Sequence, residues 1–466
     1  MKSLCLMFLA ILAGTAAAQP GAHPAPATRA AQPAPVAPAV PPAPAPPTGP
    51  ASATGAEILT LERAIEIAMR QQPSLRQSRA QLEAAQGRVD QSRVIRNPTV
   101  TLSASLAAGS TVPRPCAGNA AATCGGFFDP TASTGLAAQA SWRIYDFGLT
   151  DANIRAAELS AEAAAAAIGT TTLDIRTDVE VTYLEAVARR RLVQVAEATV
   201  RSEDAHLDQA RRFVAAQAKD PIEVAQATSR DANARSALAQ AQSNEAIALA
   251  NLRSAIGWVD PASSPTVSAT WPTPADAEPP ALAVLVESAR KNRPEIVQLD
   301  KELLAAEASL TAAYAERRPV LSATASTQWS PDTDDATPQP SWNAGLTLSW
   351  SLFDGGRSAA DARIARANLA GATAQRDLLL VSLTSQLDLS RAQIIANHAN
   401  VAASTEAVAA ARAQLHLAEA RYAQGLGSQI ELADAQTAIT TAEGNLVQAE
   451  FQLATAWAQL HRATAQ

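Results

Sequence analysis

Four stretches of the chain alternate apolar and polar residues with a strict period of two. In the first, Val100, Leu102, Ala104 and Leu106 share one face, against Thr101, Ser103 and Ser105. In the second, Leu136, Ala138, Ala140, Trp142 and Ile144 oppose Ala137, Gln139, Ser141 and Arg143. In the third, Leu321, Ala323, Ala325 and Trp329 oppose Ser322, Thr324, Ser326 and Gln328. The fourth sets Trp342, Ala344, Leu346, Leu348, Trp350 and Leu352 against Asn343, Gly345, Thr347, Ser349 and Ser351. Period two predicts a strand with one apolar and one polar face. Each runs for about nine to eleven residues, the length a tilted strand needs to cross a bilayer.

Two environments produce this pattern: a soluble sheet covered on one face, or a barrel with lipid outside and water within. The polar faces carry Ser, Thr and Asn rather than Lys and Glu, which suits a wet lumen. Trp142, Trp329, Trp342 and Trp350, with Tyr145 and Phe353, lie toward the segment ends, as an interfacial aromatic belt would. Four strands are too few to close a barrel, for which about eight is the practical minimum. Open edges in lipid leave backbone groups unpaired. The strands of several chains must therefore close together, and three chains would give twelve.

Between and after the strands the pattern becomes helical and long. Residues 151–218 and 358–424 contain few breakers, and nearly seventy residues at about 1.5 Å each make a rod on the order of 100 Å. Each rod breaks briefly and returns as a second helix, over 222–256 and 430–460. Helical stretches at 61–96 and 282–317 precede the strands, and Pro73 and Pro294 split each of them at matching points. The matching is general. Leu61, Glu66, Pro73, Gln77, Arg96 and Pro98 recur as Leu282, Glu287, Pro294, Gln298, Arg317 and Pro319, a spacing of 221 residues. Beyond the first strand pair, Ser141, Trp142, Asp146 and Gly148 recur as Ser349, Trp350, Asp354 and Gly356, a spacing of 208. So long a period signifies a duplicated half-molecule rather than a solenoid. The difference between the two spacings falls in the turns between strands, a long one at 107–133 and a shorter one at 330–341, both expected on the cell exterior.

Composition adds destination. Residues 1–18 read as a secretory signal: Lys2, an apolar run from Leu4 to Ala13, and Ala16-Ala17-Ala18 before Gln19. Residues 19–56 are a Pro/Ala-rich leader without the apolar content to order itself. The rest is rich in Ala and Gln and only 17% of the chain is charged, which suits long helices in close contact. A net charge of −7, without a basic face, gives no support for nucleic-acid binding. Cys116 and Cys124 remain after processing. An oxidising envelope favours a disulfide closing this short loop, with two free thiols as the alternative.

The second helical break reads Arg421-Tyr422-Ala423-Gln424-Gly425-Leu426-Gly427-Ser428-Gln429-Ile430-Glu431-Leu432-Ala433-Asp434-Ala435-Gln436. Gly425 and Gly427 stop one helix, Ser428 caps the next, and Glu431 sits favourably in its first turn. With this tip, the duplication and the Trp…Phe-Asp-Gly-Gly-Arg stretch at 350–357, the chain resembles the TolC-like outer-membrane efflux proteins from about residue 57 onward. The resemblance implies a mainly α protein with a transmembrane β-barrel portion. Four strands per chain would enter a trimeric twelve-strand barrel continued by a long periplasmic α-helical barrel with coiled-coil contacts. It implies a first repeat over 57–260, a linker over 261–280 and a second repeat over 281–466. It further implies a homotrimer docking at Tyr422, Gly425, Leu426, Gly427 and Ser428 to a periplasmic adaptor, a membrane fusion protein, with an inner-membrane pump of RND or ABC type behind it. Glu431 and Asp434 fall where the family's periplasmic aperture is lined by acids, and Glu223 matches Glu431 in the first repeat. That first tip departs from the pattern: Arg212-Phe213 is followed by Val-Ala-Ala-Gln-Ala-Lys-Asp-Pro, one residue longer and without glycine.

The function expected is thus a passive exit channel for tripartite efflux or type I secretion. An alternative is a structural or adhesive envelope protein with a coiled-coil stalk, which has no need of four membrane-length amphipathic strands. An enzyme is not expected: the five His are dispersed, and no nucleophile motif, metal-ligand spacing or nucleotide loop calls for a cofactor.

Overall fold

A computed structural model describes residues 58–110, 114–116, 119–124, 130–259, 266–271, 278–331 and 338–465. The signal and leader expected over 1–56 lie outside the described residues. So do the side chains of Cys116 and Cys124, whose backbones fall in two short strands, β3 (Arg114–Cys116) and β4 (Asn119–Cys124).

The alternating stretches form one antiparallel sheet. Its strands are β2 (Thr99–Ser110), β5 (Pro130–Tyr145), β7 (Val320–Pro331) and β8 (Pro338–Ser349), in the order β2-β5-β7-β8. Register carries the period across all four. Thr101 pairs with Gln139, Gln139 with Ser326 and Ser326 with Asn343, a continuous polar row. One residue on, Leu102 pairs with Ala138 on the apolar face. The strands exceed the expected length at their turn ends, while β8 stops at Ser349 rather than continuing to Leu352. There Trp350 leaves the ladder and donates its indole N–H to the Arg317 carbonyl at 3.0 Å. Trp142 does the same to Arg96 at 2.8 Å in the first repeat.

Helices begin immediately below. α3 (Leu149–Ala215) and α7 (Arg357–Ala423) are each 67 residues long. Both start at an aspartate. Asp146 accepts the Thr150 amide at 2.9 Å as well as the Thr150 hydroxyl, and Asp354 accepts the amides of Gly356 at 2.9 Å and Ser358 at 2.8 Å. The turn into each helix needs positive φ, taken by Gly148 at 97° and Gly356 at 90°. α4 (Ile222–Ala255) and α8 (Gln429–Thr464) return along them. The expected split at proline is observed: α1 (Leu61–Gln71) and α2 (Pro73–Val94) in one repeat, α5 (Leu282–Asn292) and α6 (Pro294–Ala315) in the other.

The duplication extends to packing. One core gathers Ala64, Ala68, Leu75, Ile175, Val179, Ala186, Ala248, Leu252 and Ala255. The other gathers Leu285, Ala289, Ile296, Leu383, Leu387, Ile394, Ala456, Leu460 and Ala463, the same positions one repeat later. A feature absent from the sequence reading ties the halves together. β1 (Ile58–Leu59) pairs in parallel with β6 (Thr266–Val267), inside the stretch expected to be a linker. Tyr183 donates its hydroxyl to the Leu59 carbonyl at 3.0 Å, and Trp271 its indole N–H to Glu450 on α8 at 2.8 Å.

Candidate functional site: the helical tips

The turns joining α3 to α4 and α7 to α8 meet. In the second turn Gly425 adopts a φ of 73°, where an L side chain would be strained, and Ser428 caps α8 by accepting the Glu431 amide at 3.1 Å. Gly427 is buried in the bend. A Cβ there would lie 3.0 Å from the Tyr422 nitrogen and 3.2 Å from the Arg421 carbonyl carbon, so the close return of the chain requires glycine.

Tyr422 turns inward. It is only 1% exposed, packed with Ala418, Leu432, Ala435 and Phe213, the last edge-on at 5.7 Å between ring centroids. Its hydroxyl donates to Glu223 Oε2 at 2.9 Å, and burial, then Glu223, push its pKa up to about 12. Gln429 donates to the Glu223 backbone carbonyl at 2.9 Å, and Lys219 lies 3.4 Å from the Glu223 carboxylate and over the Tyr422 ring. Glu223 is therefore the hub of a clasp between the two hairpins. Lys219 and Gln429 were not singled out in the sequence, although Lys219 lies in the segment that makes the first tip atypical.

The remaining expected residues lie at the surface. Glu431 pairs with Arg421 at 3.1 Å across its own turn. Asp434, one turn further along α8, is exposed and lines an open groove with Ala403, Ser404, Ala407 and Thr437. Leu426 and Ile430 point outward at 71% and 66% exposure, and Ile222 beside the first turn is also exposed. The arrangement offers an apolar outer rim and two carboxylates of different character, one engaged and one free to face solvent. Far from the tips, Trp142 and Trp350 mark one end of the sheet, and Trp329 and Trp342 the other.

Known proteins share this architecture. Protein CyaE of Bordetella pertussis is 31% identical over 264 residues, 56% of this chain and 53% of that protein, so the matched region spans about half the length of that curated relative. The outer membrane protein VceC of Vibrio cholerae superposes with a TM-score of 0.69 at 21% identity, covering 87% of this chain and 95% of its own. The CmeC outer membrane channel of Campylobacter jejuni gives 0.73 at 15% identity, covering 87% and 85%. The outer membrane efflux protein profile matches residues 64–258 and 285–466, one match per repeat. The chain belongs to the outer membrane efflux protein family.

Proposed function

We propose that this protein is the exit channel of a tripartite efflux or type I secretion assembly, passive in itself and energised by a partner pump. The carrying observation is the four-stranded sheet, whose edge strands β2 and β8 have no further strand partner among the described residues. Its apolar face stands in the open: Val100, Leu102 and Leu346 are 76%, 70% and 70% exposed. A soluble stalk would have to cover that face, whereas lipid covers it at no cost. Neighbouring strands alternate in direction, so β8 of one protomer meets β2 of the next antiparallel. Three protomers then close a ring of twelve strands with no edge left over.

The outer membrane is the location of this family, with the helices on its periplasmic side. Trp329 lies six residues, about 20 Å, along the strands from the level of Trp142, and Trp342 lies eight residues, about 27 Å, from Trp350, close to the height of an outer-membrane apolar band. Trp329 and Trp342 serve as one aromatic girdle, and Trp142 and Trp350 as the other. At the far end the Asp434 side chains of three protomers form a carboxylate ring that favours cations, with Glu431 held beside it by Arg421. Glu223 stabilises the closed arrangement through Tyr422. The adaptor docks on the rim of Gly425, Leu426 and Ser428, over a bend shaped by Gly427, and an inner-membrane pump of RND or ABC type drives the cargo.

Light scattering on the detergent-extracted protein, corrected for bound detergent, tests the assembly. A mass of three protomers is expected, together with ion conductance after reconstitution. A folded monomer overturns the shared barrel.

A further inference from the structure

A buried polar layer joins the two hairpins above their tips. α3 contributes Thr199, Ser202, Glu203 and His206, α4 contributes Arg230, and α8 contributes Gln436 and Thr440. Ser202 donates its hydroxyl to Gln436 Oε1 at 2.8 Å, and Ser202 Oγ lies 3.1 Å from His206 Nε2. The Thr199 and Thr440 hydroxyls are 3.0 Å apart, and Arg230 donates to Glu203 Oε2 at 3.3 Å. Glu203, His206 and Gln436 are all buried. A serine hydroxyl has a single proton. Since that of Ser202 is directed to Gln436, its oxygen accepts from Nε2–H of His206, which assigns the imidazole tautomer by hydrogen-bond logic.

We propose that His206 is a proton-operated latch between the α3/α4 and α7/α8 hairpins: neutral, it completes the layer that holds them together, and protonated, it releases them. This rests on the channel reading above, because the hairpin tips are the end that such a release would open. The charged groups facing His206 are Glu203 on its own helix, Arg230 on α4 and Glu419 on α7, while α8 presents the neutral amide of Gln436. Burial, and then Arg230, hold the imidazole pKa below its ordinary value, and Glu203, Glu419 and a hydrogen bond to Gln436 oppose that without reversing it. A group with a lowered native pKa and this charge type prefers to be neutral in the packed state. The contact is therefore whole above the ordinary histidine value of about 6.5, and it weakens as pH falls below it toward the lowered native value. Mild acid favours the loosened seam, in which His206 reaches water and takes up its proton. Tyr422 and Glu223 clasp the hairpins again nearer the turns, so the layer sets how readily that last clasp parts.

The test is single-channel recording of the full reconstituted assembly at about pH 7.5 and about pH 5.5, values either side of the histidine range. Wild type and the exposed-histidine control His416→Gln are expected to show a several-fold higher open probability in acid. His206→Gln, whose amide keeps a donor toward Ser202, is expected to stay low at both. Ser202→Ala keeps the imidazole but removes the hydroxyl that bridges it to Gln436, and is expected to be high at both. An acid response in His206→Gln equal to wild type, or a wild type indifferent to pH, overturns the latch. A wild type that forms no pore at either pH overturns the channel reading, and the latch with it.

Discussion

Tyr422 shows how much one hydroxyl can do in this protein. It reaches from the α7 tip to a carboxylate 199 residues earlier in the chain, and the ring around it is fully packed. Tyr422→Phe keeps that packing and removes only the donor to a charged acceptor, a change worth about 2 kcal/mol at a buried site. The expected result is a tip that opens more often, read as a higher resting conductance with an unchanged trimer mass. The link is insensitive to pH over the working range. A raised tyrosine pKa means the donor form is favoured in the native state: its contribution is whole below the ordinary value near 10 and is lost only as pH rises through about 12. Resting conductance of Tyr422→Phe and wild type should therefore differ by the same factor at about pH 7 and about pH 9. Nothing local in the sequence announces this pair. Tyr422 and Glu223 were each legible as members of a helical tip, but that they bond depends on how two hairpins pack. Lys219 and Gln429, which complete the clasp, carry no pattern of their own.

At the scale of elements, the legible features are those with a period. The 67-residue helices lack interior proline, the split at Pro73 and Pro294 follows from the missing amide, and the strands declare themselves by alternation. The two-residue strands β1 and β6 are too short to show a period, and they pair across more than two hundred residues, so a parallel contact was hidden within an apparent linker. The strand-to-helix junction carries a second asymmetry between repeats. Asp146 is buried, and Asp354, its counterpart, is exposed. Asp146→Ala is expected to weaken the start of α3 by about 1–2 kcal/mol, and more than Asp354→Ala weakens α7. Hydrogen exchange over the first two turns of each helix distinguishes them: the larger loss of protection should fall at α3.

On the whole molecule, the two faces of the sheet should respond oppositely to charge. Val100→Arg places a cation on the apolar face of β2, in the row between those of Trp142 and Trp342, where the penalty in lipid is about 2–4 kcal/mol. The trimer yield in the outer-membrane fraction should fall sharply. Ser326→Arg, one face over in the continuous polar row, should assemble normally and shift ion selectivity toward anions. Equal loss of trimer in both variants would contradict a lumen on that side. The unpaired edges of β2 and β8 have a consequence for genetics as well as structure. If no protomer completes its sheet alone, function belongs to the set of three, and a chain that joins the ring with one faulty edge spoils two sound neighbours. Expressed at equal levels with the wild type, such a chain leaves about one ring in eight wholly intact, so an edge mutation is dominant while a null allele of the same protein is merely additive.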